Sequence, residues 1–189
     1  SLIVQSSQPG AAIRYTLDGS VPTLGNGLAY TGPIQIDKTT TFRAAAFADN
    51  DLPSKPITHS YIFLDQVIRQ SNTPPGFPSG PTVMSGYPSD YEMDPEIVNS
   101  EEYRTMIKPA LQALPVLSIV LKNDDMFGAS NGIYTHPLSR GPAWERPCSV
   151  EFIPREGSGF QVNAGLQVQG NAAREPVKQP KHPLRVTFK

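Results

Sequence analysis

The stretch Ile13-Arg14-Tyr15-Thr16-Leu17-Asp18-Gly19 decides the reading of the first part of the chain. Ile13, Tyr15 and Leu17 alternate with Arg14 and Thr16, the period-two pattern of a half-buried strand. Asp18-Gly19 then turns the chain, since glycine accepts the positive φ that such turns require. Working outward, Ser1-Leu2-Ile3-Val4 also reads as a strand, and Pro22 with Gly25-Asn26-Gly27 marks a loop. Ile34 and Ile36 alternate around Gln35 after Gly32-Pro33. Thr39 to Phe47 begins β-branched and aromatic, and although Ala44, Ala45 and Ala46 favour helix by propensity, the run is short and ends in Asp49-Asn50-Asp51. It is therefore read as a strand. Thr58 to Phe63, with Tyr61 and Phe63 in phase, closes the set. Short strands with a turn signal every ten or so residues predict a small sandwich.

The whole chain has 189 residues, with twenty prolines and fifteen glycines. Charged residues make up 17%, against roughly 25% in an ordinary globular chain. This composition excludes a helical bundle and a coiled coil and predicts a mainly β, turn-rich protein. Sixteen basic and seventeen acidic residues give a net charge of -1, so no global field favours nucleic acid. The longest apolar stretch, Leu114 to Leu121, is interrupted by Pro115 and Ser118 and is far shorter than the ~20 residues of a membrane helix. The chain starts without Met, which reads as processing or as a piece of something longer. One cysteine, Cys148, leaves no internal disulfide and no cysteine-rich zinc site.

Residues 64 to 113 read as a Pro-rich connector with one helix. Asn72 to Pro81 carries Pro74, Pro75, Pro78 and Pro81, which forbid a continuous helix or a central strand. Phe77, Met84, Tyr87 and Tyr91 could pack this connector against the surface. Asp94-Pro95 is a helix start, with Asp as cap and Pro first, and Ser100-Glu101-Glu102 is another. Tyr103, Ile107, Leu111 and Leu114 fall on one helical stripe, with Pro109 as a break or kink. Leu114 to Leu121 then reads as a buried strand with Asn123-Asp124-Asp125 as its exit turn, a weak candidate for a cation. Gly132-Ile133-Tyr134 and Ser149 to Ile153 read as short strands. Ala164, Leu166 and Val168 share one face of a further strand, and Leu184, Val186 and Phe188 are predicted to point inward from the last.

Two parts of the chain resemble known families. Ser7 to Thr23, Tyr30-Thr31-Gly32-Pro33-Ile34 and Thr39 to Phe47 look like the chitobiase/β-hexosaminidase C-terminal-type domain over residues 1–63. That resemblance implies an immunoglobulin-like sandwich used as an accessory module in exported multidomain proteins, outside any catalytic barrel. Asp18 and Asp37 therefore read as turn formers rather than a glycosidase pair. Tyr15 and Tyr30 read as core residues, with stacking on a polysaccharide as the alternative.

Residues 114–189 are similar to the N-terminal part of the CotH kinase-like family. The carrying residues are Gly132-Ile133-Tyr134, Trp144-Glu145-Arg146-Pro147, Ser149-Val150-Glu151, Gly165 to Asn171, and Pro180 to Arg185. The family implies an atypical kinase fold that transfers phosphate from ATP with magnesium. On its motifs, Gly170 and Asn171 would form a phosphate loop, with Lys181 and Arg185 on the phosphate side. A glycine-containing turn can cradle phosphate through its amides, and a cation can neutralise it. Ala172-Ala173 stand where the family has hydroxyl residues. Glu145, Glu151, Glu156 and Glu175 do not match its magnesium-binding motifs. No catalytic residue is assigned, and ATP and magnesium are expected only if that domain is completed.

Other constellations are weak. Cys148 with His136 could form a thiol dyad, but Cys148 opens an apolar strand. His59, His136 and His182 have no ligand spacing, and no metal site is assigned. The residues together with the two resemblances imply a non-catalytic structural or interaction segment of an exported or cell-surface bacterial protein. Its partners would be the remainder of a longer polypeptide or neighbouring chains. The alternatives are the ATP-binding half of a kinase and a carbohydrate-binding accessory module. The last strand is expected to leave an open sheet edge that further polypeptide or a partner chain completes.

Overall fold

A computed structural model of the chain describes residues 1–79, 89–179 and 181–188. Met84, Tyr87, Pro180 and Lys189, which figure in the sequence reading, lie outside the described residues. The protein is mainly β, with two antiparallel four-stranded sheets.

The first sheet contains β1 (Ala12–Thr16), β2 (Leu28–Ala29), β3 (Thr40–Phe47) and β4 (Ile57–Tyr61), in the order β2-β1-β3-β4. Tyr15 lies opposite Ala44, and its ring stacks on Phe42 at 5.5 Å between centroids. Phe42, Ala44 and Ala45 are buried. The three alanines form strand because β1 and β4 pair with β3 on both sides, and ladder formation overrides their helical propensity. Asp18-Gly19 turns as expected, with Gly19 at φ 79. Two expectations are corrected. Leu17 lies beyond the end of β1 and is 44% exposed. Ser1 to Val4 is not a strand but contributes one bridge, Leu2 to Ile34, because its only ladder partner is that short segment.

Among the described residues three short helices occupy the connector, α1 (Leu64–Val67), α2 (Pro95–Val98) and α3 (Ile107–Gln112). Asp94 caps α2, its Oδ1 accepting the Glu96 amide at 2.9 Å. The predicted stripe from Tyr103 to Leu114 is helical only within α3, and Pro109 explains why. It sits in the first turn of α3, where no intrahelical donor is needed, so it begins the helix instead of kinking it. Tyr103 and Leu114 are exposed in consequence. The connector is packed down as expected at Phe77 and Tyr91, whose rings meet edge to face at 5.6 Å. The Tyr91 hydroxyl donates to the Pro78 carbonyl at 2.8 Å.

The second sheet is a meander of β5 (Val116–Val120), β6 (Arg146–Ile153), β7 (Phe160–Val168) and β8 (Leu184–Phe188). One face is the main apolar core. Cys148, Val150, Leu166 and Val168 pack there with Ile133, which is 2% exposed. Ile133 comes from a turn, correcting the strand expected at Gly132-Ile133-Tyr134. The turn is held by the Ile133 amide on the Asp125 carbonyl at 3.0 Å and the Tyr134 amide on Met126 at 2.8 Å. Asn123-Asp124-Asp125 opens α4 (Asn123–Phe127) rather than forming an exit turn. Ala164, Leu166 and Val168 share a face as predicted. On β8 only Val186 joins the core cluster. Leu184 and Phe188 are 38% and 62% exposed, because β8 is the sheet's edge and the apolar cover stops short of it.

The opposite face of the second sheet carries a polar row beside Val116, Val120 and Ile153. Ser118 lies opposite Glu151, Glu151 opposite Gln161, and Ser149 opposite Asn163. β4 of the first sheet packs on this face, against β6 and β7. Beside it Arg43, 2% exposed, donates through Nε to Thr58 Oγ1 at 3.2 Å and through Nη1 to the Gly19 carbonyl at 2.8 Å. A side chain at Gly19 would meet the Leu121 carbonyl at 2.7 Å, so the turn after β1 abuts the end of β5.

Candidate functional site

The chain leaves β7 at Val168 and reverses through Gln169, Gly170 and Asn171 into a 3-10 turn, Ala172–Arg174. Gly170 has φ 103, a conformation that glycine alone adopts without strain. The Gln169 amide donates to the Pro183 carbonyl at 2.8 Å, tying this loop to the entrance of β8.

Arg174 organises the loop from below. Only 8% exposed, it donates through Nε to Gly170 at 2.8 Å and through Nη1 to Ser139 at 2.7 Å and Pro137 at 3.0 Å. Its Nη2 reaches the Val168 carbonyl. All these acceptors are main-chain carbonyls. A planar guanidinium with five donors can collect that many, which a lysine cannot. Burial lowers the Arg174 pKa, and the positive charges of Arg140 and Arg185 lower it further.

Those two arginines are exposed. Arg140 Nη2 donates to Asn171 Oδ1 at 2.8 Å. Arg185 on β8 donates to Gln167 Oε1, and Gln167 Nε2 donates to Gly141 at 3.2 Å. Of the expected loop residues, Gly170 and Asn171 lie in the turn, whereas Arg185 bonds Gln167 on the neighbouring strand and not the turn itself. Lys181 is exposed, and no hydrogen bond or ion pair places it at the loop. Its neighbour His182 is buried instead, its amide meeting the Tyr134 hydroxyl at 3.1 Å and its Nδ1 the Ala173 carbonyl at 3.1 Å. The nearby Glu175 is already paired with Lys178 at 2.8 Å. At this glycine turn the exposed Arg140 is the guanidinium that favours an anion, since Arg174 already donates to four main-chain carbonyls. Sequence reasoning missed Arg140 and Arg174, which lie in Pro-rich, turn-like surroundings with no periodic signal.

The weaker candidates have local roles. Asp18 Oδ1 accepts the Ser20 hydroxyl at 2.6 Å and the Ser20 amide at 3.0 Å, a turn former as expected. The Tyr30 hydroxyl accepts the Val4 amide at 3.1 Å. Cys148 is buried in the core, and desolvation pushes its thiol up to about 11. His136 packs on Trp144 at 5.1 Å. Among the described residues no group of three or more His, Cys, Asp or Glu side chains is placed to hold a metal ion. No helix among them is long and apolar enough to cross a membrane.

Residues 2–61 match the family model described as Fn3 associated. This match spans the first sheet and is consistent with an accessory β module. No curated protein and no solved structure matches the chain.

Proposed function

We propose that this chain is a non-catalytic structural and interaction segment of an exported or cell-surface multidomain protein. The observation that carries the reading is the Fn3-associated match over residues 2–61, coincident with a complete four-stranded sheet. The chitobiase-type resemblance of the same residues supports use as an accessory module, with the rest of a longer polypeptide as its partner. The test is protease shaving of intact source cells, followed by detection of peptides from residues 1–79. Their release from the cell surface or medium is expected. Recovery only from the cytoplasmic fraction would overturn the reading.

A second reading has one observation in its favour. Arg140 donates to Asn171 and Arg174 to Gly170, in the turn where the CotH-like resemblance places the phosphates of ATP. In that reading the exposed guanidiniums of Arg140 and Arg185 neutralise phosphate, and buried Arg174 holds the loop. Titration with a fluorescent ATP analogue, with and without magnesium, checks it. Saturable binding weakened by Arg140→Ala supports it, and no binding under either condition removes it.

A further inference from the structure

The centre of the polar row on the second sheet is closed from water. Ser149 is fully buried and Glu151 is 9% exposed. A buried carboxylate and hydroxyl need partners, or their desolvation is a net cost. β4 is the edge of the first sheet, and its outward main-chain groups have no ladder partner. The two needs meet. Glu151 Oε2 accepts the Ser60 amide at 2.6 Å, and Oε1 lies 3.1 Å from His59 Nδ1. Asn163 Nδ2 donates to the Pro56 carbonyl at 2.9 Å, just before β4 begins. The Ser60 and Ser118 hydroxyls meet at 2.7 Å. Each of three successive strands, β5, β6 and β7, thus supplies one polar side chain to the same extended segment.

We infer that this face is a receptor for the edge strand of the preceding module, recognising its outward amide and carbonyl. The Fn3-associated module and the second sheet are then one rigid unit, not two beads on a tether. The chemistry is selective in a way an apolar seam is not. Sliding β4 by one residue turns the Ser60 amide toward β3 and leaves Glu151 buried without its donor. An apolar contact of equal area would tolerate such a slip. The partner that fits is an extended edge strand with a small hydroxyl residue opposite Ser118, which is what Pro56 to Tyr61 offers. Arg43 and Thr58, both buried close to this seam, stiffen the same part of the first sheet. The inference goes beyond the proposed function and is independent of where the protein resides.

Two measurements on the full chain test it. In the Ser60→Cys, Ser118→Cys double variant, the sulfurs replace oxygens 2.7 Å apart, so mild oxidation is expected to join them with loss of both thiols. Buried Cys148 stays reduced. In native hydrogen exchange the Ser60 amide is expected to be protected in the wild type, and at least tenfold less so in Glu151→Ala. The amides of β3 should keep their protection in that variant. A folded double variant that fails to cross-link overturns the inference, as does a wild-type Ser60 amide that exchanges like a free edge amide. If Glu151→Ala does not fold, the cross-link and the wild-type exchange rate still decide.

Discussion

Arg43 reaches across 24 residues to donate from Nη1 to the carbonyl of Gly19 at 2.8 Å, holding the turn after β1 onto the middle of β3. Its other bond, from Nε to Thr58 Oγ1, fastens β4. Burial pulls the Arg43 pKa down, while Cys148 and Asp18 oppose that shift. Replacing Arg43 with Ala strands the Gly19 carbonyl and the fully buried Thr58 hydroxyl. Loss of charged hydrogen bonds and a new cavity should cost about 2–4 kcal/mol. Arg43→Lys should fall between, because an ammonium lacks the planar fork. Urea unfolding midpoints measure both, and an Arg43→Ala loss no larger than a surface change would refute this role.

Asp18 is expected to stabilise the fold above the ordinary carboxylate range. Its pKa is lowered from 3.8, first by the Ser20 hydroxyl, against an opposing effect of burial. A depressed folded pKa means the stabilisation is present above the unfolded value and fades as pH falls through the folded one. Ser20→Ala should move the Asp18 titration midpoint upward in NMR-detected pH titration. An unchanged midpoint would show that the hydroxyl is not the main cause.

Cys148 should be chemically quiet in the native protein. Desolvation pushes its thiol up to about 11 and its side chain is buried, so thiolate is scarce at pH 8. Iodoacetamide is expected to modify it slowly at that pH and much faster in denaturant. Equal rates in the two conditions would contradict the placement of Cys148 in the core.

Arg174→Ala should loosen the loop between β7 and β8. The variant loses donors to the Val168, Gly170, Pro137 and Ser139 carbonyls together. The expected loss is about 2–5 kcal/mol, less than a sum of independent bonds because they share one side chain. Thermal unfolding reads the loss, and faster exchange of the Gln169 amide locates it. Arg174→Lys should recover only part.

The strands were legible where local pattern and fold agree. Ile13 to Thr16, Thr40 to Phe47 and Ala164 to Val168 all appear where alternation or β-branched composition placed them. Gly132-Ile133-Tyr134 was misread because three residues carry no usable period. Ile133 is apolar since it plugs the core from a turn, and Gly132 is glycine since a Cβ would meet the Gly128 amide nitrogen at 2.4 Å. Leu184 and Phe188 alternate correctly, yet alternation does not say where a cover ends. The arginines were least legible of all. Nothing in the local pattern marks Arg43 or Arg174 as buried, because their acceptors are brought in from as far as 37 residues away. At the loop, Gly170 and Asn171 carried a motif, whereas Arg140 joins them only through the fold.

The polar row under β4 also bears on how such a chain could be assembled in evolution. A seam lined by Ser118, Ser149, Glu151 and Asn163 hydrates readily when uncovered. A gene rearrangement that removes or exchanges the leading module would therefore expose a polar row beside Val120, a more wettable surface than an all-apolar seam. The same seam that fixes orientation when occupied thus lowers the solubility cost of shuffling modules.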